Sequence, residues 1–299
     1  MNRISAWYLE GIDFSRAPRS LAQLREMAHH TEVERRDLAN LAKWEPKLQG
    51  KTSSLREGWV PLGTIARFRR GIATGANGFF LLSDERLAEL GISQDRTWQC
   101  VGRASDVTGL IFSDADFEEA ARNGAKVRLL NLNDPLTDEE REYVTAGEAE
   151  GLLSRYILAN RSPWYSMERR PVAPLWAAVF GRGDLKFVVN ESGARSLTNF
   201  HCIYPEAFSP AEIRALGLCL NAPIVRQASK LEGRVYGGGL NKFEPNDLKQ
   251  IMVPDVRTAE PSVLAEAAEL LEQLNTDQHN PTLLAAADDI CDRMGRVAR

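Results

Sequence analysis

The 299-residue sequence has no apolar run approaching the ~20 residues a membrane-spanning helix requires. Its opening residues, MNRISAWYLEGIDF, lack the apolar core of a secretory signal. A cytoplasmic protein with no membrane partner is expected. Its four cysteines, Cys100, Cys202, Cys219 and Cys291, include no C-x-x-C pair and read as reduced core residues. Of its four histidines only His29 and His30 are adjacent, which gives no metal-ligand spacing. An excess of positive charge is also missing, since the net charge is −4. Counted by segment, however, basic and acidic stretches alternate. Residues 1–83 carry 13 Lys+Arg against 8 Asp+Glu and residues 84–150 carry 7 against 16, after which 151–256 carry 13 against 9 and 257–299 carry 4 against 8. A positive face is compatible with an acidic protein.

The densest positive charge adjoins glycine in RRGIATGANGFFL, residues 69–81. Glycine admits close backbone approach to a phosphate, and arginine holds the anion. The two common nucleotide motifs are nevertheless absent: Ala76 and Asn77 stand where a P-loop needs glycine and lysine, and Gly71, Gly75 and Gly78 do not make G-x-G-x-x-G. The plain alternative is a glycine-rich turn with Phe79 and Phe80 in or near the core.

Residues 20–44, SLAQLREMAHHTEVERRDLANLAKW, carry a helical apolar pattern opening at Ser20, and predict one long amphipathic helix with His30 as its place to break. The polar stretch KLQGKTSSLREG reads as a linker. From Trp59 short strands interleave with short helices. Thr137 and Glu140 stand at capping-box spacing with Gly147 as a stop, and Ser209, Pro210 and Glu212 repeat the signal. Two last helical patterns start at Pro261 and Pro281. The expected fold class is α+β: a mixed-strand body with short interleaved helices, flanked by N- and C-terminal helices. The expected divisions are a helical segment 1–50, a body 51–256 and a helical segment 257–299.

Two further stretches share the basic, aromatic and glycine-rich character of the loop: LANRSPWYSMERR (158–170) and KLEGRVYGGGLNKFEPNDLKQIMVP (230–254). Arginines contact phosphates and guanine edges, and aromatics stack on bases. Taken singly, the Trp164-Tyr165 pair is more often a core plug, and Gly-Gly-Gly a turn. Taken in order, RRGIATGANGFFLLSDE, LGI, VGRASD, YILANRSPWY, LCLNAP and GRVYGGGLNKFEPNDLKQIMVP resemble the C-terminal, target-recognition half of TaqI-like adenine-N6 DNA methyltransferases, including those of type II and IIG restriction-modification systems. The resemblance covers residues ~44 to ~256 and rests on an ordered series of motifs. It implies a domain that clamps duplex DNA and selects the sequence, with Arg69, Arg70, Thr74, Asn77, Arg161, Trp164, Arg234, Tyr236 and Lys242 at or near the DNA.

The chain also departs from that family. Adenine methylation needs a polar-Pro-Pro-aromatic motif to hold the flipped base, and no Pro-Pro dipeptide occurs. NDPL and SPWY each lack the second proline, and FGRGD has the wrong spacing for a cofactor turn. The expectation is a non-catalytic chain with no cofactor of its own, S-adenosylmethionine being bound by a methyltransferase partner encoded on another chain or by the rest of a longer protein from which this chain was cut. The Asp184 and Lys186 of GRGDLKF form a D-x-K pair too common to mark a nuclease. Two rivals stay open: a stand-alone enzyme with a cofactor site at residues 71–78, and a degenerate general nucleic-acid binder.

Overall fold

Ser20 behaves as the polar residue before a helical pattern should, its hydroxyl accepting the Gln23 N–H at 3.2 Å. Helix α1 then runs only from Leu21 to Met27. Strand β2 (His29–Glu34) follows, paired antiparallel along its length with β1 (Arg3–Tyr8), and a single turn, α2 (Arg35–Leu38), comes after it. In the described residues, therefore, the expected long helix is interrupted by a strand. HHTEVE carries the β-branched Thr31 and Val33 and finds a partner in RISAWY, a distant segment that local periodicity does not reveal. The computed structural model describes residues 3–8, 18–38, 56–182, 185–229, 234–236 and 240–296, so Asp184 and the triple glycine at 237–239 lie outside the described residues. These first elements belong to one compact unit, Met1–Leu55, and the rest of the chain forms a second, Arg56–Arg299.

The second unit is built on a five-stranded sheet in the spatial order β4 (Ala66–Arg70), β13 (Phe200–Pro205), β9 (Leu175–Ala178), β11 (Phe187–Asn190), β7 (Ile111–Phe112). Its pairings are antiparallel except β11 with β7. Because both faces are covered, its central strands read as nearly unbroken apolar runs such as LWAA and FVVN. Leu175, Ala177, Val189 and Ile203 face one core, with α8 (Pro210–Asn221), α9 (Pro223–Ser229), α11 (Pro261–Thr276) and α12 (Pro281–Gly295). Trp176, Ala178, Phe200 and Cys202 face the other, with Phe117 and Ala121 of α5 (Asp114–Arg122).

A smaller sheet runs β12 (Arg195–Ser196), β6 (Thr97–Val101), β8 (Arg128–Leu130), β5 (Leu81–Leu82). A three-stranded one runs β10 (Phe180–Arg182), β15 (Leu240–Lys242), β14 (Arg234–Tyr236), and β3 (Trp59–Pro61) pairs with β16 (Met252–Pro254). The helices α3 (Asn77–Phe80), α4 (Asp84–Glu89), α6 (Asp138–Ala149), α7 (Tyr156–Ala159) and α10 (Pro245–Leu248) fill the connections.

Local chemistry sets the helix starts as expected. Thr137 with Glu140 and Ser209 with Glu212 each form a reciprocal capping box, and Pro261 and Pro281 open their helices. Gly147 is not a stop, because α6 runs through it to Ala149. A Cβ there would lie 2.7 Å from the Phe79 ring and 2.9 Å from that of Trp164, so the glycine makes room for aromatics. The C-terminal helices spend their apolar faces on the body: Leu271, Leu274, Ile290 and Met294 are all part of its core.

Candidate nucleic-acid interface

Strand β4 ends at Arg70 and the glycine loop begins. Gly71 N–H donates to the Phe200 carbonyl at 3.0 Å and Ile72 N–H to Ser196 at 2.9 Å, which ties the loop's entrance to two sheets. A Cβ on Gly71 would sit 2.0 Å from the Leu197 carbonyl oxygen, so only glycine permits this approach. Further on the loop is held by its carbonyls. Arg161 donates to Ala73 at 2.6 Å and Thr74 at 3.1 Å, and Arg155 donates to Gly75 at 3.2 Å. Thr74 is 1 % exposed. Its hydroxyl accepts the Ala76 N–H at 3.0 Å and donates to the Asn77 carboxamide oxygen. Asn77 and Gly78 are the exposed residues at the tip.

The aromatics lie behind the loop. Phe79 stacks on Tyr143 with ring centroids 4.4 Å apart, and Trp164 lies 5.3 Å from Phe79 and 6.3 Å from Phe80. Their polar handles are all satisfied: Tyr143 donates to the Phe79 carbonyl, Trp164 to Glu148 and Tyr165 to Asp134, each at 2.9 Å. Burial pushes the Tyr143 phenol up to about 12. Two residues expected at the DNA are therefore internal. Trp164, 7 % exposed, is a core plug, and Thr74 organises the turn. Arg161 is half-buried with its guanidinium committed to carbonyls and 6.0 Å from the Phe80 ring centroid, and burial lowers its pKa.

Arg69 and Arg70 are exposed and, among the described residues, have no carboxylate partner. Successive strand residues point to opposite faces, and the register identifies which face each takes. Arg70 lies opposite His201, whose Nε2 is 2.8 Å from the Phe243 carbonyl beside Lys242. Arg69 lies opposite Cys202, on the face of Tyr204, whose hydroxyl donates to Pro171 at 3.1 Å. Burial raises the Tyr204 pKa, and the Arg170 and Arg69 charges oppose the rise. Arg169, in the same stretch, is exposed and has no carboxylate partner among the described residues, while Arg170 is paired with Glu168.

Lys242 pairs with Glu244 at 2.7 Å and lies 5.8 Å from the exposed Phe180 ring. Its strand pairs with β14, setting Arg234 opposite Lys242 and Tyr236 opposite Leu240. The structure thus sets Arg70 opposite His201 in the strand register and Lys242 next to the residue whose carbonyl the His201 ring meets. Arg69 goes to the opposite sheet face, and Arg161, Thr74, Asn77 and Trp164 gather around the loop.

A cleft of about 730 Å³ opens at the loop tip, lined among others by Asn77, Gly78, Arg103, Asp116 and Lys126. A second, of about 500 Å³, shares Gly78 and Lys126 and is also lined by Tyr143, Glu150 and Arg155. Arg103 and Lys126 have no carboxylate partner among the described residues. Sequence reasoning did not single out Arg103, Lys126 or Arg155, and it named Arg169 only within the 158–170 stretch. A usable signal existed for Arg155: segments 69–83 and 151–167, which Arg155 and Arg161 bind together, contain no aspartate or glutamate in a chain of net charge −4. Among the described residues no group of three or more His, Cys, Asp and Glu side chains is placed to hold a metal ion.

Comparison with known proteins supplies a family and several relatives. Residues 51–291 match the family described as "Type II methyltransferase M.Eco57I, C-terminal domain". The chain is similar to the Type II methyltransferase M.AccI of Acinetobacter calcoaceticus, 35 % identical over 222 residues that cover 74 % of this chain and 41 % of that protein. It is also similar to M.XamI of Xanthomonas campestris pv. amaranthicola, 26 % identical over 241 residues covering 79 % and 44 %. It therefore spans less than half the length of both. Two solved structures share the fold: the type IIG restriction endonuclease BpuSI, with TM-score 0.52 and 11 % identity over 91 % of this chain and 36 % of that one, and the Type IIL restriction-modification enzyme MmeI in complex with DNA, with TM-score 0.51 and 13 % identity over 89 % and 36 %.

Proposed function

The chain belongs to the family of the C-terminal domain of Type II methyltransferase M.Eco57I, and from that premise we propose that it is the DNA-recognition portion of a TaqI-like adenine-N6 methyltransferase of a restriction-modification system. It grips duplex DNA and supplies sequence specificity. Methyl transfer from S-adenosylmethionine is carried out by a catalytic portion elsewhere in the enzyme, on the same polypeptide or a partner. The observation that carries this reading is the division of labour among the arginines. Arg155 and Arg161 brace the glycine loop through its carbonyls, while Arg69 and Arg70 beside it stay exposed without carboxylate partners among the described residues. Guanidinium groups left in water on a braced edge strand suit phosphates.

The residues of the loop do not fit S-adenosylmethionine. A methionine cofactor sits at a glycine-rich turn leading from a parallel strand into a helix, whereas this loop leaves an edge strand of a mainly antiparallel sheet and enters a four-residue turn. Its carbonyls at 73–75 are already bound by arginines. The missing Pro-Pro motif supports the same assignment.

Two measurements test the reading. Titration of the whole chain with duplex DNA at several salt concentrations is expected to show weak binding with a steep logarithmic salt slope, about −0.9 per phosphate contact. Salt-independent binding would refute it. Calorimetry with S-adenosylmethionine is expected to show no heat of binding. A stoichiometric isotherm would favour the stand-alone enzyme instead.

A further inference from the structure

Segment 151–161 both braces the loop and holds an apolar pair in water. Leu152 and Leu158 are buried, the latter completely, and between them Leu153 is 45 % and Tyr156 85 % exposed. Tyr156 is the most exposed large apolar side chain among the described residues. Its backbone is not loose. Arg155 bonds the Gly75 carbonyl and Arg161 those of Ala73 and Thr74. Ser154 donates to Gly151 at 2.8 Å, and Asn160 donates to the Tyr156 carbonyl at 2.7 Å. Ile157 abuts Gly75 so closely that a Cβ there would be 3.0 Å away. A rigid mount thus presents an aromatic ring and a leucine to solvent, with Arg155 between them in sequence.

The surroundings narrow what covers this pair. Segments 151–167 and 69–83 carry four arginines and no carboxylate. The nearby Glu148 takes the Trp164 N–H, and Glu150 lines the 500 Å³ cleft with Arg155. One tyrosine and one leucine make a patch far smaller than the ~800 Å² per partner of a standard protein interface. An anionic partner that also offers flat apolar faces matches both features, and duplex DNA is such a partner. Aromatic rings stack on bases, and apolar side chains wedge into opened base steps.

We infer that Tyr156 inserts its ring against a base step of the bound duplex, with Leu153 beside it. The inference rests on the DNA-recognition reading above, and its test separates the two. A duplex recovered from a random-sequence pool by binding to the wild-type chain is labelled with 2-aminopurine at successive positions. Wild-type chain is expected to change the fluorescence sharply at one step. Tyr156→Ala is expected to abolish that change and to weaken binding roughly 5- to 100-fold, with the salt slope unaltered because no charge is lost. Tyr156→Phe and Tyr156→Trp are expected to restore both.

Because the ring makes no buried contact, thermal melting of all three variants should match wild type. If wild-type chain recovers no duplex, the recognition reading and this inference fall together. If Tyr156→Ala binds the selected duplex as wild type does, with the fluorescence change intact, this inference alone is overturned. Loss of association with a methyltransferase portion, with DNA binding kept, overturns it in favour of a protein contact.

Discussion

Replacing Arg161 with alanine is the sharpest test of how the glycine loop is built, because sequence reasoning and the structure assign this residue different work. A phosphate-contacting arginine is exposed and dispensable for folding, whereas Arg161 is half-buried and donates to the Ala73 and Thr74 carbonyls at 2.6 and 3.1 Å. The alanine variant leaves both carbonyls without their donor and opens space beside Phe80. Each charge-assisted hydrogen bond is worth about 1.5–3 kcal/mol, less what water recovers at a partly open site, so the loss is expected to be about 2–4 kcal/mol. For a body of this size that is roughly 5 to 15 °C in melting temperature. Urea unfolding followed by tryptophan fluorescence should show a lower midpoint at unchanged m-value. Arg161→Lys keeps the charge but not the planar fork, and should recover no more than about half of the loss. A variant that melts with wild type yet loses DNA affinity would refute the reasoning and return Arg161 to the DNA.

Arg70→Ala and Arg69→Ala should leave stability within about 0.5 kcal/mol. If each contacts a phosphate, its loss lowers the DNA salt slope by about one. Since the two lie on opposite sheet faces, hydroxyl-radical footprints of the two complexes should weaken at different backbone positions, and identical footprints would contradict the register. Phe80→Ala, at a fully buried site, is expected to cost about 3–5 kcal/mol by denaturant unfolding, and a loss under 1 kcal/mol would place the ring outside the core. Burial lowers the His201 pKa below its usual value, and Nε2 faces the Phe243 carbonyl while Nδ1 is buried with no partner among the described residues. The unfolded chain therefore takes up the proton first. The stabilising difference is fully present above about pH 6.5 and is lost as pH falls from there through the lowered folded value. His201→Gln should flatten this part of a melting-temperature profile between pH 7 and 5, and an unchanged slope would assign the loss to other groups.

Helix starts were legible in the sequence because a cap is settled within four residues. Thr137 with Glu140, Ser209 with Glu212, and the prolines at 261 and 281 carry their own geometry. The apolar Phe79 and Phe80 also declared their burial through side-chain type alone, whereas Trp164, expected at the DNA, is buried in the core. What the sequence could not declare depended on partners far along the chain. The strand at His29–Glu34 exists because Arg3–Tyr8 is there to pair with it. Gly147 continues a helix because Phe79 and Trp164 need its missing Cβ. Arg161 is structural because carbonyls 87 and 88 residues away point at it. Arginines of one composition were thus divided by the tertiary structure into those that hold the loop and those left exposed. A guanidinium takes whatever acceptor lies within reach of its fork, and only the folded chain decides which acceptors those are.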